Sequence, residues 1–413
     1  MNIVIVSNFA RFPGTPRWDF ELVRYEDFID HEAHQVSYIA NRKGRTAITA
    51  PPGRWRLHEL EALHDIAAWR GLLRDIAAEH GPIDRLIVFS EFLLDIAAEL
   101  REEFDIPGNR PADNRLGRDK LLMKHKVGSA GLRVPHYKAV SSSQAAEAVA
   151  FAREVGYPLI LKPVDGASSA GVQVIADEAA LRVALAALPP GEADLEEFID
   201  GELYHVDGLV DVEGRVALLL PSRYVNNCFD FTRGAPLGSV MLEPGSALHQ
   251  RVTGFSRACI EAIGLKACPF HLELFHSRRD ELVFLEVGAR VAGADVPYMI
   301  HRSTGVNLFA EWVAMAMGGT GRVSAEPREL GGWLMFPRPP GLPLRVEAVT
   351  RFLGRLPTVY RELVPQEGQL LEPDTGYASM QSGRFLFAAQ RAHAIERDIA
   401  TVLREFSLTT RQA

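Results

Sequence analysis

Two apolar segments around a short polar turn decide the reading of this chain: Phe270-His271-Leu272-Glu273-Leu274-Phe275 and Leu282-Val283-Phe284-Leu285-Glu286-Val287-Gly288-Ala289-Arg290. Both have strand character, and a turn centred on Arg279-Asp280 pairs them as a hairpin with Glu273 directly opposite Glu286. Directly opposed side chains lie about 5 Å apart on one face, where two carboxylates repel unless a cation lies between them. Mg2+ favours carboxylate oxygens together with phosphates, so the pair reads as a metal clamp on a nucleotide. By the same alternation His271, Phe275, Phe284, Gly288 and Arg290 share that face. Arg290 stands one step beyond the metals, suited to bidentate contact with a phosphoryl or carboxylate group. The competing reading is an exposed amphipathic hairpin with solvated glutamates. Both strands are too apolar for a fully wet face.

Upstream, Leu159-Ile160-Leu161-Lys162-Pro163 carries a lysine at the end of an apolar run, and Asp165-Gly166-Ala167-Ser168-Ser169-Ala170-Gly171 follows. A lysine at a strand end commonly snorkels to water. Beside a loop of small residues, whose backbone N–H groups can approach phosphate, Lys162 becomes a candidate phosphate ligand. The loop lacks the lysine spacing of a Walker A motif and opens no helix, so it is not a P-loop. Lys120 and Lys124 stand four apart on one helix face, which reads equally as a solvated basic face. Glu196-Glu197-Phe198-Ile199-Asp200-Gly201-Glu202 leads into an alternating strand. Glu202 there suits a ribose hydroxyl or belongs to solvated acidic surface. Residues 222–238, with Arg223, Tyr224, Asn226, Asn227, Asp230 and Arg233, read as a pocket lining or as a surface loop.

The frame around these segments is a soluble multidomain chain. Its 413 residues suggest two to four domains. The first part alternates strand and helix signals: strands at Ile3 to Ser7, Tyr38 to Ala40 and Leu86 to Phe89, helices at 59–79 and 92–100. The opening apolar run has no basic leader and reads as a buried strand rather than a signal peptide. Cys228, Cys259 and Cys268 form no CxxC pair, which argues against a disulfide framework and for a reducing, cytoplasmic setting. The net charge of −8 and the lack of a long basic run argue against nucleic acid, and no apolar run is long enough for a membrane span. Gly318-Gly319-Thr320-Gly321 looks like a linker before a small α+β module. The expected segments are 1–115, 116–190, 191–320 and 321–413.

Taken in order, the motifs from about residue 118 to 300 resemble the ATP-grasp superfamily. The resemblance implies α/β and α+β architecture: a Rossmann-like domain at 1–115, a small lid at 116–190, a central nucleotide and metal domain at 191–320 and the C-terminal module. It implies Lys120 and Lys162 as nucleotide lysines, and Gly166, Ser168 and Ser169 in the loop that closes over phosphates. Glu196, Glu197, Phe198 and Ile199 correspond to the adenine hinge and Glu202 to the ribose carboxylate. Glu273 and Glu286 correspond to the magnesium ligands and Arg290 to the phosphate-side arginine, with Lys162 and Arg290 as catalytic groups. One departure stands out: the usual Glu-x-Asn-x-Arg is here Glu286-Val287-Gly288-Ala289-Arg290, and His271, opposite Gly288, is either a substitute ligand or a packed histidine. Gly332-Trp333-Leu334-Met335-Phe336-Pro337-Arg338-Pro339-Pro340-Gly341, with Leu371-Glu372-Pro373 and Gly376-Tyr377-Ala378, resembles L-amino acid ligases within that superfamily. The implied activity is ADP-forming ligation of a carboxylate, an amino acid, to an amine through an acyl phosphate. Its cofactors are ATP and Mg2+, with Mn2+ as an alternative. Its partners are small-molecule carboxylate and amine substrates, with no nucleic acid and no membrane, and a homodimer is allowed. The rivals are a carboxylase or nucleotide-pathway ligase, a kinase releasing its phosphorylated product, and a nucleotide-binding module without turnover.

Overall fold

The structure is a computed structural model. It describes the chain apart from residues 12–17, 19–20, 167–168, 232, 324 and 374–380, and the side chain of Gln381. Residues of the N-terminal part form a parallel sheet in the order Arg56–Glu59, Gln35–Ala40, Asn2–Ser7, Arg85–Val88. Asn2–Ser7 is buried along its whole length. A continuous apolar run such as Ile3 to Val6 suits a central parallel strand, because both faces are covered. Helices Ile66–His80 and Leu94–Glu103 cover one of them through Trp69, Leu73, Ile76 and Leu100.

The next unit is an antiparallel sheet in the order Tyr137–Val140, Ala193–Glu197, Leu159–Pro163, Gln173–Ile175. Helices Ala145–Val155 and Glu178–Ala186 pack on it through Ala148, Val149, Leu181 and Leu185. The largest sheet has eight strands, starting Leu282–Gly288, Cys268–Ser277, Gly201–Val210, Val216–Tyr224, Leu237–Met241. It continues through Leu330–Pro337, Gln381–Ala389 and Val359–Leu363, so the sheet that carries the carboxylate hairpin runs on past residue 320. A three-stranded sheet of Leu370–Leu371, Leu344–Val349 and Leu408–Gln412 completes the architecture.

Two local features position the site. Helix Lys120–Ser129 starts at an Asp119 N-cap, whose carboxylate accepts from the Leu122 N–H at 3.0 Å, and Gly131 follows it at φ +78°. Met123 and Val127 bury one stripe in the core under the large sheet, which fixes where Lys120 and Lys124 emerge. In the hairpin, His271 pairs with Gly288, Leu272 with Val287 and Glu273 with Glu286, and then the register shifts so that Leu274 pairs with Phe284. The shift corrects one expectation. Phe284 does not share the carboxylate face but is fully buried in the core, and Leu285 takes the place beside Glu286. A bulge re-aims side chains in this way by letting two residues oppose one.

Candidate nucleotide and metal site

The cleft lies between the small antiparallel sheet and the large one. Lys120, Lys162, Gly166 and Ser169 line one side; Leu203, Glu273, Leu285 and Glu286 line the other. Glu196, Glu197, Phe198 and Ile199 line it where the chain passes from strand Ala193–Glu197 into strand Gly201–Val210. The sequence-predicted lysines, loop, hinge and paired carboxylates therefore meet in one cleft. Ser168 lies outside the described residues, as do Gly376, Tyr377 and Ala378.

Charge is arranged in two layers. In the upper layer Lys120 Nζ stands 3.3 Å from Glu286 Oε2 and donates to the Gly166 carbonyl, tying the loop to the helix N-terminus. In the lower layer Lys162 Nζ stands 2.7 Å from Glu196 Oε1, and Lys124 Nζ stands 2.6 Å from Glu196 Oε2 and bonds Asp194. All four groups are buried. Burial alone would depress the Lys162 pKa, but Glu196, Asp194 and Glu286 outweigh it and hold the ammonium above the ordinary lysine value. Burial would likewise raise Glu196, yet Lys162 and Lys124 bring it down, while burial together with the Glu196 charge raises Asp194. Lys124 is thus no part of a solvated face: it is the buried counter-charge that makes the Asp194–Glu196 pair tolerable. The Glu196 carboxylate faces these lysines, and Glu197 is held by Arg133 at 2.7 and 2.9 Å.

Glu202 departs from the expected arrangement. Its carboxylate accepts from Tyr204 Oη at 2.7 Å and from Arg223 at 3.1 Å, and it lines an adjoining polar cleft. Leu203, the next residue, lines the main cleft as well as this one. Strand alternation accounts for the absence of Glu202 from the main cleft, since neighbours on a strand point to opposite faces. The adjoining cleft also takes Arg223, Tyr224, Asn226, Asn227 and Asp230, so these residues of the polar-aromatic stretch line a pocket.

The floor under the Glu273–Glu286 pair is a hydrogen-bonded chain. Ser239 Oγ meets His205 Nε2 at 2.7 Å, His205 Nδ1 meets Asp207 at 2.6 Å, and His271 Nδ1 meets the other Asp207 oxygen at 2.9 Å. His271 Nε2 then faces Glu273 Oε1 at 3.5 Å, and Tyr224 Oη donates to that same oxygen at 2.8 Å. Burial would raise Glu273, but the His271 contact and the Tyr224 hydrogen bond outweigh it and bring its pKa to about 2. Burial would lower His271, but Asp207 and Glu273 lift it to about 9.

Arg290 reaches across to the N-terminal part and pairs with Glu91, which also binds Arg118 at 2.8 Å. Arg118 in turn donates to the Asp165 carbonyl at 2.8 Å. Sequence reasoning missed Lys124, Asp194, His205, Asp207 and Glu91 as members of this assembly. For His205 and Asp207 a signal existed, two polar residues at i, i+2 inside an apolar strand. For Glu91, in the turn after a strand of a separate sheet, none did.

A cleft between a small antiparallel sheet and a larger one, with lysines on one side and paired carboxylates on the other, is the arrangement that the ATP-grasp resemblance implied. Residues 155–297 match the family model described as ATP-grasp domain, and the chain carries that domain. Among relatives, the chain is similar to an L-arginine-specific L-amino acid ligase of Bacillus subtilis, 21% identical over 355 residues, covering 83% of this chain and 84% of that protein. It is 28% identical over 226 residues to the protein y4rH of Sinorhizobium fredii, a match covering 52% of this chain and only 45% of that longer protein. Among solved structures, L-amino acid ligase from Bacillus licheniformis superposes with a TM-score of 0.74 at 18% identity, over 99% of this chain and 98% of the other. At that identity the likeness shows the fold.

Proposed function

We propose that this protein is an ADP-forming carboxylate–amine ligase that joins amino acids. The observation that carries this reading is the pairing of Glu273 with Glu286 in the same cleft as Lys120 and Lys162. The similarity to an L-amino acid ligase across most of the chain supports amino acids as the substrate class. Residues 1–115, 116–190, 191–320 and 321–413 act as the N-terminal, lid, central and C-terminal parts, the last continuing the central sheet.

The donor set fits a divalent cation, because two opposed and largely buried carboxylates otherwise repel, and Mg2+ or Mn2+ there would neutralise the nucleotide phosphates. Lys162 and Lys120 balance the charge that spreads over the phosphoryl oxygens as a substrate carboxylate oxygen attacks the γ-phosphorus and ADP leaves. Loop residues Gly166 and Ser169 offer backbone N–H groups to the same oxygens. Arg290, with Nε on Glu91 and Nη1 on the Val291 carbonyl, turns its remaining Nη N–H groups to the carboxylate or the acyl phosphate made from it. An amine then attacks the acyl carbon, and the C–O bond to phosphate breaks. The closed loop excludes water, which otherwise hydrolyses the intermediate. Glu196 to Ile199 bound the adenine end of the cleft, and Glu202 lies beyond it in the adjoining cleft.

The test is incubation with ATP, Mg2+ and pairs of amino acids, with phosphate release and product mass both measured. The reading predicts ADP, phosphate and a product of the summed mass less one water. AMP with pyrophosphate, or a phosphorylated amino acid as the end product, would contradict it.

A further inference from the structure

The floor of the clamp holds a nitrogen donor that the carboxylate pair alone does not account for. The trio His205, Asp207 and His271 brings potential metal-binding atoms within 4.8 Å of one another, but it is not itself a cation site. Both Nδ1 atoms bond Asp207, and His205 Nε2 bonds Ser239. A carboxylate only accepts, so each Nδ1 carries the hydrogen it donates. That fixes the tautomer: any lone pair on His271 sits on Nε2, which faces Glu273 Oε1 and the Tyr224 hydroxyl, each 3.5 Å away. Asp207 is fully buried and locks the ring in this direction. An acid–imidazole arrangement of this kind is how proteins orient a metal-binding histidine.

The opposite side of the ladder offers nothing to replace it. His271 pairs with Gly288, which has no side chain, and the Arg290 side chain lies alongside, its Cγ 3.4 Å from where a Cβ would stand. Two donor atoms on one octahedral ion with bonds of about 2.1 Å lie about 3 Å apart. The observed 3.5 Å closes to that with a small shift. A cation would then take the place of the Nε2 proton that otherwise faces Glu273, as metal binding to histidine generally does.

We infer that His271 is a nitrogen ligand of the divalent cation held by Glu273 and Glu286, positioned by Asp207, and that it tilts the clamp toward Mn2+ over Mg2+. The preference follows from ligand type, since imidazole suits first-row transition ions and Mg2+ keeps to oxygen. The inference rests on the proposed nucleotide-clamp reading and adds to it a third ligand and a metal preference.

Electron spin echo envelope modulation on Mn2+ bound to the full chain, with the β,γ-methylene analogue of ATP, reads the ligand directly. The expected result is 14N modulation from an imidazole in the unmutated protein, its loss in His271→Asn, and a fall of about tenfold or more in the Mn2+ to Mg2+ affinity ratio. Growth on 15N-histidine makes the same assignment without any substitution, by shifting the modulation frequencies, so misfolding of the variant leaves the test intact. Asp207→Asn should weaken Mn2+ binding by about 10- to 100-fold. Nucleotide-dependent Mn2+ binding without histidine modulation in the unmutated protein overturns the inference and leaves the clamp standing. Absence of nucleotide-dependent Mn2+ binding overturns both.

Discussion

Arg290, just past the end of strand Leu282–Gly288, is paired with Glu91, which follows the last strand of the N-terminal parallel sheet, and both are largely buried. Burial would raise Glu91, but Arg290 and then Arg118 outweigh it and hold the carboxyl below its usual range. A depressed carboxylate contributes stability that is present above its unfolded pKa of about 4.3 and is lost as pH falls through the lower folded value. Glu91→Gln should therefore destabilise the protein by about 2–3 kcal/mol at neutral pH, less than a fully buried pair, and flatten the acid limb of the stability profile. Urea titrations from pH 3 to 7 check this. An unchanged acid limb would show that the pair is not an anchor between the two parts.

Removal of the arginine tests the other end of that pair. Arg290→Met leaves Glu91 its contact with Arg118, so the fold should hold while ligation falls by about a hundredfold or more. Arg290→Lys should recover little of it, because lysine lacks the bidentate fork. Phosphate release alongside circular dichroism separates loss of chemistry from loss of fold.

Lys124 makes a prediction of stability rather than chemistry. It is fully buried, and both of its carboxylate partners are buried too. Lys124→Met leaves Asp194 without its hydrogen-bonded cation, Lys162 standing 3.9 Å away, and leaves Glu196 with Lys162 alone, and should cost about 3–5 kcal/mol. The double variant Lys124→Met with Asp194→Leu should regain part of this loss in a denaturant titration. A double variant less stable than the single would contradict the reading of Asp194 as the stranded charge.

The loop after Lys162 is a run of small residues, and its start is held by polar ties: Lys120 to the Gly166 carbonyl, Arg118 to that of Asp165. Gly171 sits at φ +74°, where a Cβ would also approach Pro163 Cγ to 2.9 Å. Gly171→Ala should lower turnover more than it lowers the melting temperature, since it strains the loop but not a core. Hydrogen exchange at Gly166, Ser169 and Ala170 should slow when the ATP analogue and Mg2+ bind. Equal exchange in both states, with binding confirmed, would reduce the segment to a surface turn.

Much of the site was legible in the sequence because its parts are local. The Glu273–Glu286 pairing followed from strand period and one turn. What escaped was set by events the period does not record. The bulge after Glu273 exchanged Phe284 for Leu285 on the working face. Alternation put Leu203, not Glu202, in the main cleft once the start of strand Gly201–Val210 was fixed. Lys124 looked like surface because its two carboxylate partners lie on a strand some seventy residues away in sequence. Glu91 comes from the turn after a strand of a different sheet, and no pattern near Arg290 points to it.

Glu273→Gln and Glu286→Gln should each nearly abolish ATP turnover while leaving the melting temperature of the nucleotide-free protein within a few degrees of the parent. Removing one of two opposed charges relieves repulsion but takes away the cation's support. The added stability from nucleotide with Mg2+ should vanish in both, a thermal-shift readout independent of chemistry. Near-normal turnover in both variants would remove the metal clamp from the account.

The acyl phosphate is the centre of the proposal, and isotope transfer tests it most directly. An accepted amino acid labelled with 18O in its carboxylate is ligated, and the released phosphate is analysed by mass. Attack of the carboxylate oxygen on the γ-phosphorus, followed by displacement at the acyl carbon, predicts one 18O atom in each phosphate and none in ADP. Unlabelled phosphate, or label appearing in AMP, would contradict the account.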